Sequence, residues 1–324
     1  MSRLRRVGSI SAFLARALVG VIVVVLIGVG IVLIVVETGW AKNRIRALIV
    51  RQANQYLTAT LSIGRLEGSL LRGLRLGQVE LARDGKSMIV IDEISVNYSL
   101  RELFQSGVVI RHIRLTRPRI VAAKQPDGRW DLGALVRRES QEQERTGPKR
   151  PIDIQGIEII DGDVLLHDPL DFGAAHVPTH FASLNAALSF HYYPVQWQLT
   201  FDRIDWIGKA PELTVTRLSG VFGRATQGWF FDRLSVHTPR SAFTLNGQID
   251  TSRKPAILDL AVHAERFAFQ EWSGVLRGLR NIAIDASFDT RLRGPTSRLD
   301  TELTLTGSGG DVRGRFTLDT SVPG

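Results

Sequence analysis

One stretch limits what the rest of this chain can be: Ala17 to Val36, ALVGVIVVVLIGVGIVLIVV, 20 consecutive residues without a charge between Arg16 and Glu37. A helix rises about 1.5 Å per residue, so this length crosses the roughly 30 Å hydrocarbon core of a bilayer. In lipid its backbone groups must bond one another, which makes the run helical despite its many valines. Residues 17–36 are therefore expected to be a transmembrane signal anchor. Residues 1–16, with Arg3, Arg5, Arg6 and Arg16, form a basic cytoplasmic leader. A cleaved secretory signal has an apolar region of only about 7–15 residues. Gly39-Trp40-Ala41 is a weak cleavage triplet, and the longer run favours an uncleaved anchor. Lys42, Arg44, Arg46 and Arg51 follow the span, so both flanks are basic and the positive-inside rule does not orient it alone. The absence of Cys fits an oxidising exterior. The expected arrangement is a single pass with the amino terminus inside and the large domain outside.

The formal net charge of +9 admits nucleic acid, anionic lipid or a solvated surface as its reason. A membrane-tethered chain with 7% aromatics and no recognition motif is not expected to bind nucleic acid. The charge is concentrated. Between Trp40 and Arg75 there are seven Lys and Arg and one acidic residue, Glu67, which puts the positive charge beside the bilayer.

After the span, residues 37–60 read as a juxtamembrane amphipathic helix. Ala41, Ile45, Leu48, Ile49, Ala53, Tyr56 and Leu57 recur at spacings of three and four, with the basic residues between them. Such a helix lies on the lipid interface or packs over the end of a sheet. Its cluster Lys42, Arg44, Arg46 and Arg51 either collects anionic phospholipid or is a solvated face.

From residue 61 the period changes to two. Val79/Leu81, Ile89/Ile91, Ile94/Val96/Tyr98, Ile113/Leu115, Phe243/Leu245 and Leu258/Leu260/Val262 alternate with polar residues. So do Ile282/Ile284/Ala286/Phe288, Leu303/Leu305 and Phe316/Leu318. These predict half-buried strands joined as an antiparallel meander, with breaks at Asp84-Gly85-Lys86, Asp127-Gly128 and Gly307-Ser308-Gly309-Gly310. Residues 137–151, without a large apolar side chain, read as a mobile loop inserted between strands. A meander this long buries its apolar face in a closed barrel, in a two-sheet sandwich, or along an elongated trough with an apolar concave groove. Periodicity does not choose among the three.

No enzyme pattern is expected. His176 and His180 are four apart, but Pro178 between them prevents a helical metal pair, so they read as loop histidines. Asp161, Asp163, His167, Asp168 and Asp171 do not fit a calcium loop and read as turn residues. The Gly307–Gly310 run lacks the Lys-Ser/Thr of a phosphate loop, and no nucleophile elbow is present. Neither a metal nor a cofactor is expected.

At Val109 to Leu135, VIRHIRLTRPRIVAAKQPDGRWDLGAL, the chain resembles the AsmA-like superfamily of diderm bacteria. Pro118 and Asp127-Gly128-Arg129-Trp130-Asp131-Leu132 match its strand, Pro, strand, Asp-Gly turn unit. Ile152 to Asp168, with Asp161-Gly162-Asp163 read as a turn between two strands, is a second such unit. Ile63 to Leu81, IGRLEGSLLRGLRLGQVEL, is similar to the start of the TamB branch. The resemblance implies an inner-membrane anchor, a periplasmic taco-like β-structure over residues 61–324, and a hydrophobic groove that carries phospholipids towards the outer membrane. It also implies a second role, scaffolding the assembly of outer-membrane barrels or autotransporters with a TamA-like partner. That partner would be contacted by a carboxy-terminal region, and the chain, ending in mid-pattern at Gly324, is expected to be a fragment without it. The groove candidates are Val79, Leu81, Ile89, Ile91, Ile94, Val96, Tyr98, Ile113 and Leu115. An acyl chain gains about 0.8 kcal/mol per CH₂ removed from water, so an unbroken apolar wall holds lipid without a specific residue.

Overall fold

Apolar residues at every second position drive this chain into strands, 15 of which join one sheet. The computed structural model describes residues 39–69, 73–98, 108–135, 151–172, 175–194 and 196–319. The anchor expected at 17–36 lies outside them, as does nearly all of the 137–151 loop. Among the described residues no helix is long and apolar enough to cross a membrane. The chain divides into two compact units, Met1–Arg51 and Gln52–Gly324.

Helix α1 (Gly39–Tyr56) forms where the 3.6-residue period was legible. Within the second unit, Asn54 holds its last turn to the first strand, exchanging hydrogen bonds with the backbone of Leu61 at 2.7 and 3.2 Å.

The sheet has 15 strands. The first five are β1 (Thr60–Ser69), β2 (Gly73–Arg83), β3 (Lys86–Tyr98), β4 (Val108–Thr116) and β5 (Arg119–Ala122). After β6 (Ile152–Leu166) a small separate hairpin, β7 (Leu170–Phe172) and β8 (Ala175–Val177), leaves the main sheet. The remainder is a regular meander: β9 (His180–Tyr193), β10 (Gln196–Lys209), β11 (Leu213–Arg224), β12 (Gly228–His237) and β13 (Ala242–Asp250), then β14 (Ile257–Ala268), β15 (Asp285–Pro295), β16 (Arg298–Gly307) and β17 (Gly310–Asp319). Spatial order follows chain order, and β1 and β17 stand at opposite edges without pairing. A closed barrel and a two-sheet sandwich are therefore both ruled out for these strands.

The meander breaks once. β4 and β5 are two segments of one line, interrupted by Arg117 (φ +47) and the buried Pro118, and both pair with β6 in parallel. Parallel neighbours need a long return connection. That is the physical reason for the polar insertion between Ala123 and Pro151, which includes a short 3₁₀ turn at Asp131–Ala134. The expectation of a wholly antiparallel sheet is corrected at this point.

Three other readings change. Asp161-Gly162-Asp163 is no turn: it lies inside β6, where Asp161 (φ +52) forms a bulge. Ile282 and Ile284 precede β15 instead of belonging to it. Asp127-Gly128 closes a local loop bridged by Lys124 and Trp130, one turn within the long connection from β5 to β6 and not a tight link between them. The other turns form as read. Asp84 and Gly85, at φ +52 and +74, make the two-residue link between Arg83 and Lys86. Ser308 and Gly309 link Gly307 to Gly310.

Candidate functional site

Residues directly opposite one another on paired strands share a face of the sheet. One rung can be followed across every strand on the path from β1 to β17: Leu66, Leu76, Ile94, Leu115, Ile159, Ala186 and Ile204, then Leu218, Val236, Phe243, Ala264, Phe288, Leu305 and Val312. All 14 are apolar. At about 4.8 Å per strand, the rung extends roughly 60 Å along the sheet. On the same face two residues away, Leu74, Val96, Ile113, Ile157, Leu188 and Phe201 form a second rung. A third carries Ile154, Phe190, Leu199, Phe222, Phe231, Gly247, Leu260 and Leu292.

The aromatic residues gather on this face. Phe222 stacks on Phe231 and on Trp229, at centroid distances of 5.2 and 5.5 Å, and Trp197 meets Phe222 and Trp229 edge-on. Most of these rung residues are only half-buried, unlike the interior of a closed domain. The opposite face is polar. Its rungs include Thr244, His263, Asp289, Thr304 and Arg313, and Gln248, Asp259, Arg293, Asp300 and Thr317.

Part of the apolar face is covered. The β14–β15 connector lays Trp272 against Phe243 and Phe267, with centroids 5.4 and 5.6 Å apart, and buries Val275 with Leu213 and Val215. Leu218 and Val236 of the long rung pack against this cluster. The small hairpin joins the cover through the His176 amide, which donates to the Val275 carbonyl at 2.7 Å. Glu271 fastens the connector, accepting from the Thr238 and Ser241 hydroxyls at 2.6 Å each.

All nine residues proposed from the sequence for an apolar wall fall on strands of this sheet. Ile94, Val96, Ile113 and Leu115 lie in the first two rungs described, and Tyr98 is opposite Ile110. Val79 pairs with Ile91, and Leu81 with Ile89, beyond Gln78, whose φ is +53. Val79, Leu81 and Ile91 are buried, so these three support the fold from within. Sequence reading missed the densest part of the face, Phe190, Leu199, Phe222, Trp229 and Phe231. Its signal was the alternation Trp197, Leu199, Phe201, which the bulge at Asp202 cuts short. In the first unit, Lys42, Arg44, Arg46 and Arg51 all lie on α1, where Arg44 and Arg51 are exposed.

The residues weighed for metal binding serve the polar network. His180 and His176 stand in strands, not loops, and His180 Nε2 lies 2.8 Å from Asp163. Asp168 accepts from the Lys124 amide at 2.6 Å. Among the described residues no group of three or more His, Asp or Glu is placed to hold a metal ion. On the polar side, Arg117 and then Arg119 hold the Asp92 carboxyl below its usual range, and Arg114 does the same for Glu158 with His112.

Compared with known protein families, curated proteins and solved structures, this chain matches none.

Proposed function

We propose that the apolar face holds the acyl chains of phospholipids and that the protein carries lipid along it. In this reading the face is the wall of an elongated trough. The segment 17–36 anchors the chain in an inner membrane, the sheet lies in the periplasm, and the basic residues of α1 attract anionic head groups. The 14-residue apolar rung carries the proposal. An acyl chain reaches about half the 30 Å hydrocarbon core, or about 15 Å, and so covers roughly three strands at a time. Successive positions offer the same hydrocarbon contact, so a chain exchanges one set of strands for the next at little cost. In this reading movement along the face is passive. The AsmA-like resemblance supports the same reading and supplies the direction, towards the outer membrane.

The test uses the full chain in its own membrane, with p-benzoylphenylalanine in place of Leu199 or Leu260. Irradiation followed by mass spectrometry of the adducts should recover phospholipid from both positions. Recovery of protein adducts alone, from a folded chain, would overturn the reading.

One observation favours a second role. All ten residues of the edge strand β17 are exposed, including Val312, Phe316 and Leu318. A strand this exposed is suited to pairing with other strands, as a scaffold for outer-membrane β-proteins working with a TamA-like barrel requires. Crosslinks from Phe316 to such a client, with none to lipid at Leu260, would identify it.

A further inference from the structure

A fourth rung borders the apolar face: Val108, Ile152, Tyr192, Trp197, Arg224, Trp229, Ile249 and Leu258. Arg224 is the single charge in it, and the other three rungs contain none. Trp197 and Trp229 flank Arg224 from strands on either side, yet they lean over β11 until their ring centroids are 5.6 Å apart. The Arg224 guanidinium lies 5.5 Å from the Trp229 ring centre. It is exposed and forms no ion pair among the described residues. Both indoles also keep an N–H without an acceptor there. A cation and two unpaired N–H donors therefore stand together at the margin of a hydrocarbon-like wall. Trp at such a boundary has its apolar ring on one side and its polar N–H on the other. No carboxylate shares the rung to receive an ammonium group.

From this we propose that Arg224, Trp197 and Trp229 form a head-group station. It holds the phosphate of a phospholipid whose acyl chains lie on Phe222, Phe231 and Leu260, and it favours anionic head groups over ethanolamine or choline. The inference rests on the lipid-carrying reading and adds selectivity and a fixed stopping point to it. Arg is suited to the task because its planar fork bonds two phosphate oxygens at once while stacking on an indole.

The experiment compares the full chain with its R224Q and R224K variants, each crosslinked from position 260 in cells. The readouts are total lipid adduct and the ratio of phosphatidylglycerol to phosphatidylethanolamine within it. R224Q should keep total adduct within about twofold and lower the ratio at least threefold, while R224K, which keeps the charge but loses the planar fork and its stacking, should fall between the two. An unchanged ratio at unchanged yield would overturn the station and leave the lipid-carrying reading standing. Absence of lipid adduct from the unsubstituted chain would overturn both. Free phosphate presents the same oxygens, so ³¹P line broadening of inorganic phosphate is measured in parallel on the purified chain. Broadening that disappears in R224Q, with no change in lipid ratio, would assign the site to the free ion and overturn the proposal.

Discussion

The backbone amide of Arg233 donates to Oδ1 of Asn246 across the β12–β13 pair, at 2.7 Å. Arg233 is a bulge residue at φ +46. The same device recurs on the other half of the sheet, where Asp161 at φ +52 donates its amide to Oδ1 of Asn185 at 3.0 Å. A bulge removes a residue from the ladder and leaves its N–H without a strand partner. In both places an asparagine of the next strand accepts it. Opposite Arg233 sits Gly220 at φ +123, where a Cβ would stand 2.2 Å from the Arg233 carbonyl oxygen. The N246A substitution should therefore lower stability by about 1 kcal/mol, and N246D, which keeps an acceptor oxygen, by less. Denaturant melts measure the difference, and faster hydrogen exchange at the Arg233 amide should accompany N246A alone.

These bulges also set how far the sequence could be read. Strands of strict alternation, such as Phe243/Leu245 and Leu258/Leu260/Val262, were legible because nothing disturbs their period. Where a bulge shifts parity, the apolar set resumes one residue later and the pattern looks irregular. Phe201 and Ile204 share the apolar face at a spacing of three for this reason. The same mechanism made Asp161-Gly162 resemble a hairpin turn. Openness was illegible for a different cause: alternation reports that one face is apolar, and pairing between distant strands decides whether anything covers it.

Substitutions on the apolar face should separate into two classes. Ile91 is 8% exposed, and a carboxylate there loses its water without gaining a partner, so I91D should cost at least about 3 kcal/mol and compromise folding. Leu260, half-buried on an uncovered rung, has water within reach. L260D should cost about 1 kcal/mol and leave the circular dichroism spectrum intact while reducing lipid adduct from position 199 severalfold. Loss of fold in L260D as complete as in I91D would show that the face is an interior.

The Asp92 carboxylate accepts from Arg117 Nε at 2.7 Å, with Arg119 3.6 Å away. Its proton affinity is thus lower in the folded chain than in the unfolded one. A carboxylate with a depressed folded pKa contributes stability above its unfolded pKa of about 3.9, and that contribution disappears as pH falls through the folded value. Both arginines are well exposed, so the ion pair is worth at most about 1 kcal/mol. D92N should cost that amount at neutral pH, nothing at the acid end, and should flatten the stability profile below about pH 4. An unchanged profile would mean that Asp92 is as free in the folded chain as in the unfolded one.

The cover over Phe243 depends on a buried hydroxyl. Ser241 is wholly buried and bonds three ways: it donates to Glu271 at 2.6 Å and accepts from the Ala268 amide and Trp272 Nε1, each at 3.1 Å. Replacing it with alanine strands two donors where little water reaches, while Glu271 Oε2 keeps only the Thr238 hydroxyl. Each unmet group costs about 1–3 kcal/mol, and partial relaxation makes about 3 kcal/mol in total the expected loss. E271Q keeps the shape but offers a single oxygen to the two hydroxyls that Glu271 Oε2 now receives, so about 1–2 kcal/mol is expected. Because the network fastens Trp272 onto Phe243 and Phe267, loosening it should redden the tryptophan emission before global unfolding. It should also expose Leu218 and Val236 to an apolar dye. A red shift that coincides with complete unfolding in both variants would mean that the connector is inseparable from the sheet, and its removal would then open no further length of the apolar face.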